Sequence, residues 1–408
     1  MNDHTKEYSV VLVGVGGYGT SFLRRLLRDD CDLPMKLVGG VDPFASASPR
    51  YQDLLAAGIP LYDTLEEFYA QHTADIAIVS TPIHLHKEQS IYCLEHGSHV
   101  MCEKPICAVV DDIEAMKEAA ARTGKELFVG FQWNYSDAIR TMKEDVLAGK
   151  YGALKRMKTL VLWPRDFAYY RRGIGWAARK KAGSGEWILD SVANNATAHY
   201  LNNMLFTAGK RLSDSADIES ITVQTYRANP IEMYDTCALR AKTADGIPLL
   251  YLASHAICKP GMRGPEFVFE FEGGRIEAKV EDRRGVVVRG YLADGSEVEY
   301  GCPNQLETCK LDWMLKVLEE GAPHLCSPDT AKVHTSIINR IEELIPDTPF
   351  LPQEMIVTDE KEQMIYGDGL DALLTRCFDE WKLPCELEPA FGEAVTGSMI
   401  GYEHFAET

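Results

Sequence analysis

Residues 10–19 read VVLVGVGGYG, with four glycines in six positions directly after an apolar run. Glycine surrenders the most backbone freedom on folding, so such a cluster is costly unless the chain must turn tightly or approach another group closely. The residues that follow, 18–28, place Phe22, Leu23, Leu26 and Leu27 at helical spacing. Strand, glycine loop and helix open a βαβ unit. In that setting Gly14-x-Gly16-x-x-Gly19 is the pattern that holds a dinucleotide pyrophosphate at the positive end of a helix. Gly14 permits the turn, Gly16 lets backbone approach the phosphates, and Gly19 lets helix and strand pack closely. Gly17 and Tyr18 lie inside the loop and are counted with the same site. The second strand, 36–41, ends at Asp42, 23 residues beyond Gly19. A carboxylate there accepts the ribose hydroxyls of NAD and repels a 2′-phosphate. Ser46, Ser48 and Arg50 follow closely and keep NADP open as the other cofactor.

Alternation continues through residue 130. Strands are expected at 8–13, 36–41, 76–80, 99–102 and 127–130, with helices at 18–28, 64–70, 87–96 and 111–123. Such alternation implies right-handed crossovers and a parallel sheet. After about residue 150 strands follow one another instead, at 221–226, 237–242, 249–255, 266–271, 275–280 and 286–291. Thr243-Ala-Asp-Gly246 and Glu272-Gly-Gly274 read as hairpin turns between them. Helical segments are expected near 190–205, 310–320, 327–344 and 370–381. The fold class is therefore α/β: an N-terminal parallel sheet over 1–130, then an α+β domain over 131–345 with a large, mostly antiparallel open sheet. Residues 346–408 read as a C-terminal extension. The open sheet suits a homo-oligomer, a dimer or tetramer.

A chain of 408 residues, 46% hydrophobic and 25% charged, is long enough for a large core. Its net charge of −19 disfavours contact with nucleic acid or an anionic membrane surface. No run of about 18 apolar residues suggests a membrane span, and residues 1–10 hold no apolar signal core. The 11 cysteines are scattered singly, without a CxxC pair, which fits reduced thiols in a cytoplasmic setting and offers no metal site. Cys102 and Cys107 are expected to be buried thiols.

The segment STPIHLHKEQSIYCLEHGSHVMCEKPI, 80–106, carries Thr81-Pro82, His86 and Glu103-Lys104-Pro105. With the glycine loop upstream, it resembles the Gfo/Idh/MocA family of oxidoreductases, which includes glucose–fructose oxidoreductase and inositol dehydrogenase. The resemblance is good over about 130 residues. It implies a Rossmann domain followed by an open-sheet domain, and oxidation of a sugar or polyol hydroxyl with NAD or NADP. By that resemblance Thr81, Pro82 and His86 line the cofactor site, and Glu103 and Lys104 lie near the nicotinamide. An ammonium at Lys104 would favour the developing alkoxide and help relay its proton.

The family also offers an Asp followed four residues later by a His, the general base, on one helix. Here Asp190 matches the Asp, but Asn194 occupies the His position. Asparagine cannot take a proton from an alcohol near neutral pH. His199 lies five residues further, which on a regular helix is about 140° away. Three readings stay open: Lys104 is the base and Asn194 binds a hydroxyl, His199 reaches the site through an irregular helix, or the chemistry has been lost. Upstream, LWPRDFAYYRR, 162–172, and Trp176 are dense in aromatics and arginines. Aromatic faces pack on sugar C–H faces and Arg binds hydroxyls or an acidic group, although the same grouping also suits a pinned loop or a subunit contact. Arg165 and Tyr170 are the preferred contacts, with Trp133 and Tyr135 as further pocket candidates, beside Asp190 and Asn194. The expected activity is an NAD(P)-dependent dehydrogenase of a sugar, glycoside or polyol. A redox glycosidase working by oxidation and elimination, and a non-catalytic regulator that binds dinucleotide or sugar, are the alternatives.

Overall fold

The computed structural model describes residues 6–28, 31–172 and 175–406. It divides into two units. The first comprises Met1–Cys107, Asp111–Gln132 and Leu306–Pro328; the second comprises Ala108–Val110, Trp133–Gln305 and Asp329–Thr408. Two expectations are thereby corrected: 306–328 belongs with the N-terminal unit, and 346–408 is part of the second unit rather than a separate extension.

The first unit is built on a six-stranded sheet of β1 (Tyr8–Val13), β2 (Met35–Val41), β3 (Leu61–Tyr62), β4 (Ile76–Val79), β5 (His99–Cys102) and β6 (Leu127–Val129). The order is β3-β2-β1-β4-β5-β6, and every pairing is parallel. The central strands β1 and β4 read YSVVLV and IAIV and are almost wholly buried, as a parallel sheet covered on both faces requires. Strand order reverses beside β1 and β4, and the crevice beyond their carboxyl ends is where such sheets bind nucleotides. The helix Cys309–Glu320 returns to this unit, burying Leu311, Met314 and Leu315 in the cluster that holds Val10, Leu12, Phe22 and Leu23.

The second unit holds a nine-stranded sheet of β7 (Leu154–Leu162), β8 (Ile218–Tyr226), β9 (Thr236–Thr243), β10 (Pro248–Ser254), β11 (Arg263–Phe271), β12 (Gly274–Glu281), β13 (Gly285–Leu292), β14 (Glu297–Gly301) and, after the small hairpin β15 (Ile356–Asp359) and β16 (Met364–Gly367), β17 (Val395–Ser398). Its order is β14-β13-β12-β11-β7-β10-β9-β8-β17. All pairings are antiparallel except β7 with β10. Strand β11 alternates cleanly, with Phe267, Phe269 and Phe271 inward. Helix Leu370–Glu380 buries Leu370, Leu373, Leu374, Cys377 and Phe378 in a cluster with Leu160, Leu162, Leu250 and Leu252 of the sheet.

One helix expectation is corrected. Residues 190–205 are not continuously helical; the helix is Ala198–Thr207, preceded by turns over 192–197. Leu189 precedes them in a left-handed conformation, at φ 52°. No helix among the described residues is long and apolar enough to cross a membrane.

Candidate functional site

In the first unit the glycine loop closes tightly on itself. Gly14 has φ 86°, and a Cβ there would lie 2.6 Å from the Ser80 carbonyl oxygen. A Cβ on Gly19 would meet the Gly14 carbonyl oxygen at 2.1 Å, so Gly19 is required by the loop's own return as the helix Gly19–Leu26 begins. Gly16 and Gly17 differ. A Cβ at Gly16 would reach only the Asp42 carboxylate, at 4.0 Å, and one at Gly17 would reach nothing within 4 Å. The protein itself does not demand glycine at Gly16, whereas a ligand lying against the backbone would. Among the residues present, this open cradle fits a dinucleotide pyrophosphate.

Asp42 stands at the end of β2. Its Oδ2 accepts the Val15 N–H at 3.0 Å and its Oδ1 accepts the Phe44 N–H at 2.9 Å. Each carboxylate oxygen accepts more than one hydrogen bond, so both retain capacity for ribose hydroxyls. Of the residues that kept NADP open, Ser46 is exposed, while Ser48 and Arg50 are otherwise engaged. Ser48 is buried and donates to the Val15 carbonyl at 2.7 Å, and Arg50 pairs with Asp53 at 2.7 Å. Tyr18 turns its hydroxyl inward, donating to Gln132 Oε1 at 2.6 Å, and burial together with the Glu103 and Glu307 charges raises its pKa.

The loop after β4 and the turn after β5 are joined by His86. Its ring is 1% exposed and lies between two carbonyls, with Nδ1 2.8 Å from Pro105 O and Nε2 2.8 Å from Thr81 O. Burial lowers its pKa, partly opposed by those two carbonyls. His86 is thus an internal tie between Thr81-Pro82 and the Lys104–Pro105 peptide, which is cis, and its ring nitrogens do not line a cofactor site. The Thr81 hydroxyl donates to Gln89 Oε1 at 2.5 Å. Glu103 is likewise corrected. Its carboxylate is 6% exposed and pairs with Lys310, whose side chain is fully buried. Gly130 leaves room for this carboxylate, since a Cβ there would lie 2.9 Å from it. Lys104, next in the chain, is only partly buried. Lys310 escaped sequence reasoning because a lysine one residue into an amphipathic helix reads as a solvated one. Cys102 and Cys107 are both buried, and burial pushes the Cys102 thiol up to about 12.

In the second unit Asp190 is 5% exposed and fully engaged. It accepts the Ala178 N–H at 2.6 Å and Asn195 Nδ2 at 2.6 Å, and pairs with Arg172 at 3.2 Å. It caps no helix; it pins the arginine-rich loop. Asn194 donates its Nδ2 to Leu189 O at 2.9 Å, while its Oδ1 is buried without a hydrogen-bond partner. His199 lies in the first turn of the helix Ala198–Thr207 and is partly buried. Trp133 is a core residue, 1% exposed, edge-on to Tyr200 with Nε1 donating to Asn304 Oδ1 at 2.7 Å. Tyr135 is buried as well. The aromatic–arginine run includes the short helix Phe167–Tyr170, capped by Asp166, with Arg172 3.7 Å above the Tyr169 ring and Arg165 4.6 Å from it.

Comparison with known proteins agrees with the fold and with a dinucleotide-binding first unit. Residues 8–131 match the model of an oxidoreductase family with an NAD-binding Rossmann fold, Gfo/Idh/MocA. A 1-carboxy-3-chloro-3,4-dihydroxycyclohexa-1,5-diene dehydrogenase of Comamonas testosteroni is 27% identical over 161 residues, covering 39% of this chain and 40% of that protein. An inositol 2-dehydrogenase of Rhodococcus jostii is 28% identical over 153 residues, covering 36% and 40%. The chain thus spans about two-fifths of the length of these curated relatives. Over a longer stretch, the WlbA dehydrogenase from Bordetella pertussis, solved with NADH and UDP-GlcNAcA, shares the fold: TM-score 0.66 at 21% identity, covering 84% of this chain and 97% of that one. The match to the Gfo/Idh/MocA oxidoreductases lies in the NAD-binding Rossmann domain, residues 8–131.

Proposed function

We propose that this protein is an oxidoreductase that uses NAD in preference to NADP and acts on a hydroxyl-bearing carbon of a sugar, glycoside or polyol. The observation that carries the reading is the open glycine cradle beside a carboxylate with spare acceptor capacity, Gly16 and Gly17 with Asp42. The names of the dehydrogenase relatives support the reaction class. Gly14, Gly16, Gly17 and Gly19 would hold the pyrophosphate and Asp42 the ribose, with Thr81 and Pro82 beside them; when bound, the dinucleotide supplies the hydride chemistry.

The remaining roles fall to this chain's own side chains. The Lys104 ammonium stabilises negative charge on the reacting oxygen. Asn194 Oδ1, buried with no partner, accepts from a substrate hydroxyl. Asp190 acts through Arg172 and Asn195, holding the loop that frames the substrate. Glu103 and His86 position Lys104 from inside the first unit. His199 remains the candidate proton acceptor in place of the family histidine. The protein is further read as a cytoplasmic homo-oligomer.

The test is turnover. Purified protein with NAD is offered a panel of sugars and polyols, following absorbance of the reduced cofactor. Lys104→Ala is expected to lower kcat at least 100-fold, within the usual span of acid–base and electrostatic contributions of about 10²–10⁴, while NAD still binds. Full activity in Lys104→Ala overturns its role; no absorbance change with any substrate overturns the dehydrogenase reading.

A further inference from the structure

We infer that the second unit recognises an acidic sugar, one bearing a carboxylate beside free hydroxyls, through Arg165, Tyr170 and His255. The inference rests on the sugar or polyol reading above and narrows its substrate class.

The three residues are brought together by the backbone. As the chain leaves β7, the Trp163 N–H donates to Ser254 O at 2.9 Å and the Arg165 N–H donates to His255 O at 3.2 Å. The Tyr169 ring stands 5.3 Å from the His255 ring and 5.4 Å from the Tyr170 ring, edge-on to both. The Arg165 guanidinium lies 4.6 Å from the centre of the same Tyr169 ring and 5.7 Å from that of Trp163.

Arg165 is set apart by what it lacks. Arg172, on the same loop, is neutralised by Asp190 at 3.2 Å. Asp235, the other buried carboxylate nearby, is taken by the Ala228 and Asn229 N–H groups, Asn229 Nδ2 and the Thr236 hydroxyl. Among the described residues no carboxylate pairs with Arg165, and its Nε is enclosed without a hydrogen-bond partner. The Tyr170 hydroxyl and His255 Nε2 are enclosed and unpaired as well. Buried polar atoms are ordinarily satisfied, so three together on adjoining residues mark a place built for a ligand.

Their polarity defines that ligand. His255 is 2% exposed, and its Nδ1 faces the Trp163 carbonyl at 2.8 Å. The proton therefore sits on Nδ1, and Nε2 is an acceptor. Burial and the two arginines hold the ring neutral, with a pKa lowered to about 3. The site thus offers a cation, a phenol donor and one acceptor. A neutral sugar would give His255 a hydroxyl but leave Arg165 without counter-charge. Inorganic phosphate also keeps a P–OH that could donate to His255, so it is the competitor that the experiment must separate from a sugar acid. A sugar acid meets all three: its carboxylate matches the Arg165 fork and the Tyr170 hydroxyl, and a hydroxyl donates to His255 Nε2.

The experiment is calorimetric titration of the full chain, saturated with NAD, with D-glucuronate, D-galacturonate, the parent hexoses and inorganic phosphate. A uronate is expected to bind at least about tenfold more tightly than its hexose. Arg165→Gln should remove that preference, so that uronate and hexose bind alike. Arg165→Lys, which keeps the charge but not the fork, should retain part of it. His255→Phe should weaken the uronate without altering NAD affinity. Equal binding of uronate and hexose, phosphate binding as tightly as the uronate, or a preference that survives Arg165→Gln overturns the inference. Absence of uronate binding at millimolar concentration with NAD binding intact overturns it too, and leaves the cofactor reading standing. Loss of NAD binding with uronate binding retained would sink the dehydrogenase reading instead.

Discussion

Replacing Lys310 by methionine removes one charge from the interior of the first unit. The Lys310 side chain is fully buried and its Glu103 partner is 8% exposed at the side chain. The ammonium also lies 4.7 Å from the Tyr18 ring centre and 5.0 Å from that of Phe22. Methionine keeps helix propensity and most of the packed volume, so the loss is electrostatic. Glu103 would be left with the Lys104 N–H, at 3.3 Å, as the donor to its carboxylate. Breaking a buried pair from one side costs about 3–5 kcal/mol. For a unit of this size that lowers Tm by roughly 10 °C. Trp313 is the one tryptophan in the first unit's sequence, so the part of a urea titration's fluorescence change that Trp313→Phe removes reports this unit. The double variant Lys310→Met with Glu103→Gln removes both charges of this pair and should recover most of the loss. A single variant costing less than about 1 kcal/mol, as an exposed pair would, or a double variant less stable than the single, would refute the reasoning.

Three further outcomes are expected. Gly16→Ala places its methyl where no protein atom lies closer than 4.0 Å; it should melt within about 0.5 kcal/mol of the parent yet lose at least tenfold in NAD affinity by titration, and unchanged affinity contradicts the cradle. Gly19→Ala drives a methyl to 2.1 Å from the Gly14 carbonyl, so thermal melting should show a clear loss of stability, and a parental Tm contradicts the loop geometry. His255 has a folded pKa depressed from 6.5 to about 3. Its neutral burial is fully stabilising above pH 6.5, and that contribution is lost as pH falls toward 3, approaching about 1.4 kcal/mol per pH unit. His255→Gln should therefore flatten stability against pH over that window and leave its shape above pH 7 unchanged; parallel curves contradict it.

The first unit is largely legible because its signals are local. An apolar strand followed by four glycines and a helical period admits few structures, and β1, β2, β4 and β5 lie within a residue or so of their expected bounds. Strand β7 was hidden by Lys155, Arg156 and Lys158. Lys158 is nevertheless buried, its ammonium donating to Phe378 O at 2.7 Å. That solution depends on a partner 220 residues away, which no periodicity can show. Lys310 and Glu103, 207 residues apart, pose the same difficulty. The stretch from Asp190 differs for another reason: its residues suit a helix locally, but the carboxylate bonds to Ala178, Asn195 and Arg172 hold it in a non-helical path as far as Thr197. Similarly, β17 completes the sheet beside β8 from a tail rich in prolines, which looked like an appendage.

The most direct measurement is a calorimetric titration of the unaltered protein with NAD and, separately, NADP. With the loop of Gly14 to Gly19 receiving the phosphates and Asp42 facing the ribose, NAD is predicted to bind and NADP to bind more weakly, its 2′-phosphate opposed by that carboxylate. Heat from neither dinucleotide at millimolar concentration would contradict the account.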